Sequence, residues 1–372
     1  MNLLVKPQSF KMLGGTPPPL GLLYMAAMDS DTVVWDSVVM GHPWKMIKEK
    51  RPKIVGVQVY TTSRHDSLEI LRIAKEYGAI TVAGGPHIAP MYKQMMEKYD
   101  FIDHFVSGDG ELAWRAITKT MVGFNLTKKL FRYPVTDLDT LPIPKWDAIR
   151  ISDYPKDRIN IVLGRGCDGH CIFCAAWWVN GKYRHHGEDW MTEHLTVLGK
   201  KGVKQLTFQD DCLTNTESAY QALTISLARA ARKGYHFRWR GVTRVDKIER
   251  SQIITLRKLG CYSLGFGIES GSQTILDKIN KQTDLARALK VREWCREANV
   301  QFKALMMTGF PFETNETRKE DTEFRRRLNP DEWGSVGHII VLPGTKLYKD
   351  LKKEGKISDD FWLDDEPYYR LG

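Results

Sequence analysis

Three cysteines within eight residues are the strongest chemical signal in this sequence. Cys167, Cys171 and Cys174 lie in the segment GRGCDGHCIFCAA, with three and then two residues between them. Three closely spaced thiolates can ligate three irons of a four-iron four-sulfur cluster, and the segment contains no fourth cysteine. One iron would therefore stay open to a ligand that carries an amine and a carboxylate, such as the amino-acid end of a methionine derivative.

A structural zinc site is the alternative interpretation of the same cysteines. Three histidines could supply its fourth ligand: His170, His185 and His186. Zinc sites of this kind usually contain two separated cysteine pairs. The remaining cysteines instead stand singly in other predicted elements: Cys212, Cys261 and Cys295. The pattern therefore favours the iron–sulfur cluster.

Repeated strand–helix units place the cysteines at the end of a predicted strand. Strands are predicted at residues 159–164, 205–210, 236–243, 263–269, 301–308 and 337–342, with helices in most of the gaps. The cysteines follow the first of these strands, which is where α/β enzymes place their chemistry. Six units predict a partial (β/α)6 barrel over residues 156–350, followed by a short C-terminal tail at 351–372.

The first 132 residues predict a separate domain of the α/β class. Strands are predicted at residues 3–6, 32–36, 54–60, 80–84 and 102–106, and helices at 20–28, 44–50, 67–77, 91–98 and 111–121. Five such units predict a doubly wound parallel sheet, whose ligand lies beyond the carboxyl ends of the strands. The proline-containing stretch 133–155 predicts an ordered linker.

The cysteine spacing, together with Phe173, resembles the hallmark C-x-x-x-C-x-aromatic-C of the radical S-adenosylmethionine superfamily. The resemblance extends over nearly the whole chain to the subgroup with an N-terminal cobalamin-binding domain. Similar segments are GGTPPPLGLLYMAA (14–27), VGVQVYTTS (55–63), AGGPH (83–87), GDGE (108–111), DLDTLPIP (137–144), QDD (209–211), VTR (242–244), GIESGS (267–272), TGFPFET (308–314) and LPGTKLY (342–348). The resemblance implies a cobalamin-binding-like Rossmann domain before a radical S-adenosylmethionine barrel.

The resemblance also implies which residues bind S-adenosylmethionine. They are Phe173, Gln209, Asp210, Arg244, Glu269, Ser270, Gly309, Phe310 and Pro311. Phe173 and the glycine-proline segment would approach the adenine, whereas Arg244 and Glu269 would bind the polar end and the ribose. Each has a structural alternative, since Asp210 could cap the following helix and Glu269 could pair with an internal arginine.

A second implied set of residues binds cobalamin at the predicted strand ends of the first domain. It comprises Gly15, Thr16, Pro17, Leu20, Tyr60, Thr61, Thr62, Ser63, Gly84, Gly85, Pro86, His87, Gly108, Gly110 and Glu111. The motif D-x-H-x-x-G, which supplies a lower axial histidine in one class of cobalamin proteins, does not occur, and His65 lacks its surroundings. Cobalamin bound without a protein ligand on that face and a domain that has lost the cofactor both stay open.

The implied activity is generation of a 5′-deoxyadenosyl radical, followed by methylation of an unactivated carbon. No catalytic side chain is assigned beyond the cluster, because the cofactors supply the chemistry. Two alternatives remain. One is a radical rearrangement or isomerase reaction with cobalamin altered in role or absent, and the other is a non-catalytic iron–sulfur or zinc protein that binds nucleic acid.

Charge and composition restrict the partners only loosely. The formal charge of +10 is compatible with a small-molecule or nucleoside-type substrate and supports nucleic acid weakly, because the basic residues are scattered. No apolar run reaches the roughly 18 residues that span a bilayer, and the cysteines do not form a secreted disulfide pattern. We expect no membrane partner, a cytoplasmic location and a reducing partner of the flavodoxin or ferredoxin type.

Overall fold

The computed structural model of the chain describes residues 1–8, 15–120 and 129–363. Gly14, Met121 and the part of the predicted tail from 364 onward lie outside the described residues. The chain forms two compact units. Of the described residues, the first contains Met1–Ile159, Trp178–Gly181 and Leu342–Leu363, and the second contains Asn160–Trp177 and Lys182–Val341. The predicted linker 133–155 lies in the first unit, and the predicted domain boundaries stay a prediction.

A six-stranded parallel sheet forms the centre of the first unit. Its strands are β1 (Asn2–Lys6), β2 (Thr32–Asp36), β3 (Ile54–Gln58), β4 (Ile80–Gly84), β5 (His104–Val106) and β6 (Lys129–Phe131). Their spatial order is β2-β1-β3-β4-β5-β6. The order reverses between β1 and β3, which is where doubly wound sheets open a ligand crevice at their carboxyl edge.

Seven α-helices belong to the described part of the first unit. They are α1 (Leu20–Ala27), α2 (Ser37–Met40), α3 (Trp44–Lys50), α4 (Arg64–Glu76), α5 (Ile88–Lys98), α6 (Glu111–Thr120) and α14 (Lys346–Lys353). The strands they flank are apolar and buried, as in Leu3, Leu4 and Val5 of β1. Such continuous apolar strands are typical of parallel sheets covered on both faces.

A second six-stranded parallel sheet forms the centre of the second unit. Its strands are β7 (Asn160–Ile161), β10 (Gln205–Phe208), β11 (Arg238–Thr243), β12 (Cys261–Glu269), β13 (Gln301–Thr308) and β14 (Glu332–His338), which neighbour one another in that order. Consecutive parallel neighbours joined by helices are the arrangement of a partial β/α barrel. Stacked Phe266 and Phe302, with centroids 4.6 Å apart, pack β12 against β13. The predicted α/β fold of both halves is confirmed.

The helices of the second unit follow its strands, and a small hairpin interrupts the first connection. The helices are α8 (Glu188–Lys200), α9 (Glu217–Arg232), α10 (Arg250–Lys258), α11 (Gln273–Lys278), α12 (Leu285–Glu297) and α13 (Asn315–Leu328). The hairpin pairs β8 (Gly164–Arg165) with β9 (Arg184–His185), and the short helix α7 (Ala176–Asn180) lies between them in sequence. No helix in the described ranges combines the length and apolar character needed to cross a bilayer.

The sequence placed several element ends differently from the structure. The last strand, predicted at 337–342, is β14 and begins five residues earlier at Glu332. Its sequence, EWGSVGH, lacks an apolar run because β14 is an edge strand with one neighbour. Helix α5 begins at Ile88 and not at Met91, since Pro90 occupies its first turn, where proline costs no hydrogen bond.

Candidate active site

The cysteine segment follows β8, the first strand of the β8–β9 hairpin in the second unit. Gly164 approaches β9 so closely that a Cβ atom there would lie 2.7 Å from the Arg184 carbonyl oxygen. A side chain at Gly164 would therefore separate the two strands. Cys167 and Cys171 are half-buried, whereas Cys174 is exposed, and all three are free thiols. We call the stretch from Gly166 to Ala176 the cysteine loop.

Asp210, at the end of β10, fixes the start of this loop. Its buried carboxylate accepts hydrogen bonds from the backbone N–H groups of Leu163, at 3.1 Å, and Gly164, at 2.6 Å. Burial raises the pKa of Asp210 to about 7, while these two N–H groups oppose the shift. Gln209 beside it accepts a hydrogen bond from the Asn160 side chain at 2.9 Å. The side-chain contacts of both residues position the loop, and their predicted binding of S-adenosylmethionine stays a prediction.

Asp211 and Asn215, which follow Asp210 in the segment after β10, also support the cysteine loop. Asp211 accepts a hydrogen bond from the backbone N–H of Gly166 at 3.1 Å. Asp168 and Asn215 are joined twice, since the Asp168 N–H donates to Asn215 Oδ1 and Asn215 Nδ2 donates to the Asp168 carboxylate. The segment after β10 thus holds the first half of the cysteine loop through side chains.

A tight turn after α11 holds the second half of the loop. The Ile172 N–H donates to the carbonyl oxygen of Ile279 at 3.0 Å, and Asn280 Nδ2 donates to the carbonyl oxygen of His170 at 3.0 Å. Asn280 has a left-handed backbone, with φ of 54°. Asparagine tolerates that region better than most residues, and the turn can therefore aim both groups at the loop.

Each of the three sulfurs accepts a hydrogen bond. The donors are Gly169 N–H to Cys167 at 3.3 Å, Ala176 N–H to Cys174 at 3.5 Å and the Arg244 guanidinium to Cys171 at 3.8 Å. N–H donors and a cation beside sulfur stabilise thiolates, the form in which cysteine binds metal. The donor set therefore fits a cysteine-ligated iron–sulfur cluster.

The thiols differ in acidity before any metal binds. Contact with Cys212 lowers the pKa of Cys167 to about 6. Protein atoms around the sulfur raise the pKa of Cys174 to about 11, although the residue as a whole is exposed, and burial also raises the pKa of Cys171. Cys212 is a residue that sequence reasoning missed, since it was placed among the single buried cysteines. Its distance of 45 residues from Cys167 carries no sequence signal.

The charged side chains of Arg244, Lys281 and Glu269 lie next to the cysteine loop. Arg244 binds the Asp246 carboxylate at 2.9 Å and donates to the Lys281 carbonyl oxygen at 2.6 Å. Lys281 Nζ lies 2.8 Å from the Glu269 carboxylate, and both side chains are largely buried. The alternative prediction that Glu269 forms an internal ion pair is thus correct, but its partner is a lysine and not an arginine. Sequence reasoning missed Lys281.

Glu269 has an unusual backbone conformation at the end of β12. Its φ is +71°, and the pairing with β13 shifts register between Gly267 and Glu269. A left-handed non-glycine residue costs on the order of 1–3 kcal/mol and is often found at functional sites. A Cβ atom on Gly267 would lie 2.4 Å from Glu269 Oε1, so this glycine makes room for the carboxylate.

The predicted adenine-binding residues bring aromatic rings together. Phe173 of the cysteine loop lies edge-on to Phe310, with centroids 6.1 Å apart. Gly309 has a φ of +83°, and a Cβ atom there would lie 2.5 Å from His338 Nδ1. Pro311 is exposed, whereas buried Ser270 accepts a hydrogen bond from the Ser272 N–H and so supports the turn before α11.

The histidines proposed for a zinc site each make other contacts. His185 Nε2 lies 2.9 Å from the Ser218 hydroxyl, and His186 stacks on Trp190 at 3.5 Å. His170 is exposed, with Nδ1 2.9 Å from the Asp168 carbonyl oxygen. Within the described ranges, no three His, Cys, Asp or Glu side chains are grouped to hold one metal ion.

In the first unit, the predicted cobalamin residues follow the carboxyl ends of β1, β3, β4 and β5. After β1, buried Lys6 donates to the Thr16 hydroxyl at 2.5 Å and to the Pro17 carbonyl oxygen at 2.9 Å. Asp36, at the end of β2, accepts a hydrogen bond from Lys6 at 3.0 Å. The buried ion pair at the ends of β1 and β2 therefore holds Thr16 and Pro17 in place. Gly15 has a φ of +89°, a conformation that favours glycine.

The loops after β3 and β4 are joined to each other. His87 is buried, with Nδ1 3.1 Å from the Thr61 hydroxyl, and burial lowers its pKa to about 3. Its backbone N–H donates to the Val59 carbonyl oxygen. Gly85 has a φ of +119°, and a Cβ atom there would lie 2.8 Å from that same oxygen. Only glycine allows this approach.

The remaining residues of the set complete the same edge. Gly108 has a φ of +84°, and a Cβ on Gly110 would lie 2.9 Å from Met25 Sδ. Glu111 is buried at the start of α6. The others lie at the ends of the same strands or at the start of α1: Leu20, Tyr60, Thr62, Ser63, Gly84 and Pro86. Glycine at these positions lets the chain pack closely and leaves backbone in place of side chains at this edge, which fits a large flat macrocycle bound through shape.

Sequence reasoning also missed a contact from the C-terminal end of the described chain. The Trp362 ring lies edge-on to His87, with centroids 6.4 Å apart, and the Arg64 guanidinium lies 5.4 Å from its centroid. Lys98 Nζ donates to the carbonyl oxygen of Leu363 at 2.7 Å. Part of the predicted tail therefore packs beneath the β3 and β4 loops of the first unit.

Family models match both halves of the chain. The model of the radical SAM superfamily matches residues 161–325, and the model of the B12 binding domain matches residues 11–118. The matched ranges contain the cysteine loop and the four strand-end loops described above.

Known relatives match most of the chain. An uncharacterized methyltransferase of Pyrococcus horikoshii is 27% identical, with 91% of this chain and 79% of the relative covered. The anaerobic magnesium-protoporphyrin IX monomethyl ester cyclase of Cereibacter sphaeroides is 24% identical over 84% of this chain, which spans only 55% of that relative.

A solved structure shares the fold of both units. The radical S-adenosylmethionine methyltransferase TsrM from Kitasatospora setae, solved with cobalamin and a four-iron four-sulfur cluster, matches 95% of this chain and 78% of its own. The TM-score is 0.76 at 16% identity. The chain therefore carries a radical SAM domain, preceded by a B12-binding domain.

Proposed function

We propose that the protein is a cobalamin-dependent radical S-adenosylmethionine methyltransferase that methylates an unactivated carbon. The observation that carries the proposal is the cysteine loop, whose three sulfurs each accept an N–H hydrogen bond beside the Arg244, Glu269 and Lys281 side chains. Such a loop can bind three irons and leave a fourth facing a zwitterionic ligand.

When bound, S-adenosylmethionine at a reduced four-iron four-sulfur cluster supplies a carbon radical that abstracts hydrogen, and methylcobalamin supplies a methyl group. Cys167, Cys171 and Cys174 would hold the cluster as thiolates. Arg244 would balance their negative charge, since its guanidinium already contacts Cys171 and is fixed by Asp246. No acid or base is required from the chain.

Lys281 would pair with the carboxylate of S-adenosylmethionine, and Glu269 would accept a hydrogen bond from its amino group. The two side chains lie 2.8 Å apart and are largely buried, so each can exchange part of its present contact for one with the ligand. The edge-on pair of Phe173 and Phe310 would contact the flat adenine, with Gly309 and Pro311 contributing backbone. Ser270, Gln209 and Asp210 would act mainly by positioning these groups.

Cobalamin would bind at the carboxyl edge of the first sheet, on the fifteen residues of the implied set. The support is the set of glycines at this edge, Gly85, Gly108 and Gly110, which leaves backbone in place of side chains there. His87 would remain neutral and bound to Thr61, and no histidine ligand to cobalt is assigned. His87 would hold the β3 and β4 loops together and would not serve as a ligand to cobalamin.

The substrate would be a small molecule, and a nucleoside-type compound is one candidate class. Exposed Trp177 could stack such a flat substrate. Reduced cysteines imply a reducing, cytoplasmic setting with a flavodoxin-like or ferredoxin-like electron donor. Nucleic acid remains a weak candidate, because Arg325 and Arg326 are paired with neighbouring carboxylates on α13.

Anaerobic reconstitution with iron, sulfide and hydroxocobalamin tests the proposal. We expect about four irons and one cobalamin per chain, and 5′-deoxyadenosine with S-adenosylhomocysteine after reductant and S-adenosylmethionine are added. Formation of neither nucleoside product by a fully loaded protein would contradict the proposal. Salt-dependent polynucleotide binding by a protein without turnover would favour the non-catalytic alternative.

A carbon-skeleton reaction that uses the same cluster is the second candidate function. The similarity to the Cereibacter sphaeroides cyclase favours it, because that relative is named for ring closure and not for methylation. The two candidates differ in their use of S-adenosylmethionine. Methylation gives one S-adenosylhomocysteine for each methyl group transferred, whereas a rearrangement or cyclisation transfers no methyl group and gives no S-adenosylhomocysteine in proportion to product.

A further inference from the structure

The turn between β12 and α11 carries Glu269, the residue proposed to bind the amino group of S-adenosylmethionine. The Ser270 N–H donates to the Ile268 carbonyl oxygen at 3.0 Å, which closes a three-residue γ-turn around Glu269. With a φ of +71° at Glu269, this is the rare and strained form of the γ-turn. Strained backbone of this kind persists only where neighbouring contacts hold it in place.

Helix α13 supplies two such contacts, both to residues that directly follow the γ-turn. The Asp321 carboxylate accepts a hydrogen bond from the Gly271 N–H at 2.6 Å, and the Glu320 carboxylate accepts one from the Ser272 hydroxyl. Glu320 is exposed, whereas Asp321 is partly buried, so water screens the Asp321 contact less. We therefore expect Asp321 to hold the turn more strongly than Glu320 does.

Gly271 allows the turn to lie directly against α13. A Cβ atom at this position would lie 2.8 Å from Asp321 Cα and 2.7 Å from Phe324 Cβ. A side chain here would push the turn away from the helix and lengthen the hydrogen bond between Gly271 and Asp321. The glycine and the carboxylate thus depend on each other.

The two oxygens of the Asp321 carboxylate have separate partners. Oδ1 accepts the hydrogen bond from Gly271, and Oδ2 lies 2.5 Å from Arg325 Nε. Arg325 lies four residues further along α13, so this ion pair is internal to the helix. The ion pair and the contact to the turn can therefore be removed one at a time by substitution.

We infer that Asp321 is a positioning residue for S-adenosylmethionine, because its carboxylate holds the Gly271 N–H and so keeps Glu269 in the strained conformation in which it meets Lys281. The inference rests on the proposed function, since it requires Glu269 and Lys281 to bind S-adenosylmethionine. Without the Asp321 contact, the γ-turn can relax to an ordinary backbone conformation. Its relaxation would move the Glu269 carboxylate away from the ligand.

The test measures S-adenosylmethionine binding to the cluster-loaded, full-length protein by equilibrium dialysis, and the KM for S-adenosylmethionine in 5′-deoxyadenosine formation. Asp321→Ala removes the acceptor and should raise both the Kd and the KM by about 10-fold, the ratio expected for loss of one hydrogen bond to a charged group. Asp321→Asn keeps an acceptor oxygen at the same position and should restore both constants to near their wild-type values.

Arg325→Met is the matched control. It removes the ion pair to Asp321 and leaves Oδ1 free to accept from Gly271, so the Kd and the KM should equal those of the wild type. The KM also separates positioning from a loss of stability. Partial unfolding reduces the amount of active enzyme and so lowers the apparent kcat, but it leaves the KM of the folded fraction unchanged.

Gly271→Ala provides a second test if Asp321→Ala does not fold. Its added Cβ atom should displace the turn from α13 and raise the KM while the Asp321–Arg325 ion pair stays intact. A wild-type KM in Asp321→Ala or Gly271→Ala, or an equal rise in Arg325→Met, would overturn the inference. A cluster-loaded wild type that binds no S-adenosylmethionine would instead contradict the proposed function.

Discussion

The carboxyl edges of the two parallel sheets have the same position in their folds and opposite chemistry. At the second sheet, the predicted ligand residues are sulfurs and charged side chains such as Cys171, Arg244 and Glu269. At the first sheet they are glycines, prolines and hydroxyl groups, and the buried His87 is neutral. The comparison suggests that one edge binds particular atoms, whereas the other binds a shape.

The two edges should therefore fail in different ways. Where the ligand is held by individual side chains, truncation of one side chain should abolish binding, because a metal ligand or a charge partner has no substitute. Where the ligand is held by backbone and glycine, binding should tolerate the loss of side-chain atoms and should fail when atoms are added. A substitution at one edge can therefore be tested with the ligand of the other edge as an internal control.

The largest effect is expected for Cys171→Ala. Removal of one of three cluster ligands should abolish 5′-deoxyadenosine formation, measured by chromatography and mass spectrometry after anaerobic reconstitution. Cobalamin binding, measured by absorption, should be unchanged, because the change leaves the first sheet intact. Cys295→Ala is the control, since Cys295 is a fully buried cysteine in α12 and should leave product formation intact. Unchanged 5′-deoxyadenosine in Cys171→Ala would contradict the assignment.

Lys281→Met should weaken binding of S-adenosylmethionine by about 10- to 100-fold, measured by equilibrium dialysis. The change removes the cation that would pair with the ligand's carboxylate, and a hydrogen bond to a charged group contributes about 1.5–3 kcal/mol. Exposed Lys258 in α10 provides the matched control, Lys258→Met, which should bind normally. Normal binding of S-adenosylmethionine by Lys281→Met would contradict the interpretation that this edge binds its ligand through individual side-chain contacts.

Gly85→Ala tests the shape-binding edge. A Cβ atom would collide with the Val59 carbonyl oxygen, so we expect loss of cobalamin and a fall in the free energy of unfolding of about 1–3 kcal/mol beyond the control. The control is Gly78→Ala, which has a similar positive φ and no atom within 4 Å of its added Cβ. Iron content should stay normal in both. Full cobalamin binding by Gly85→Ala would contradict the prediction.

The smallest effect concerns acid stability. Burial lowers the pKa of His87 and of His194 to about 3 from an ordinary value of 6.5. Between these values the unfolded chain binds protons that the folded chain does not, so the unfolding free energy falls as the pH falls. Each imidazole should cost about 1 kcal/mol at pH 5.5.

Denaturant titrations from pH 7 to 5 measure this loss for the wild type, His87→Asn and His194→Asn. Each variant should show a smaller slope of unfolding free energy against pH, by up to about 1.4 kcal/mol per pH unit. His194 lies in α8 and is not one of the predicted ligand residues, so its variant should keep both cofactors. An unchanged slope in both variants would show that the imidazoles are not held neutral.

Much of this arrangement is predictable from sequence because it depends on local patterns. Cysteine spacing gives the loop, and apolar runs such as that of β1 give the buried strands. Helix α5 was predicted too short because Pro90 was taken as a break and not as a first-turn residue. The β14 strand was shifted because an edge strand lacks the apolar pattern of a central one.

The contacts that sequence reasoning missed all join distant segments. Lys281 pairs with Glu269 across α11, through a turn in which Asn280 and Gln282 both have positive φ. Cys212 is joined to Cys167 by the close approach of two neighbouring loops. Neither pair has a fixed sequence spacing, so only the packing of the second sheet brings them together. The same holds for Trp362 against His87 in the first unit.

The most direct test of the central claim examines the iron that the three cysteines leave open. The wild-type protein is reconstituted, reduced and studied by electron paramagnetic resonance with S-adenosylmethionine labelled with nitrogen-15 at its amino group. We expect the cluster signal to change on addition and to show coupling to the labelled nitrogen. A cluster signal that S-adenosylmethionine leaves unchanged, or zinc bound by the cysteine loop in place of iron, would contradict the account.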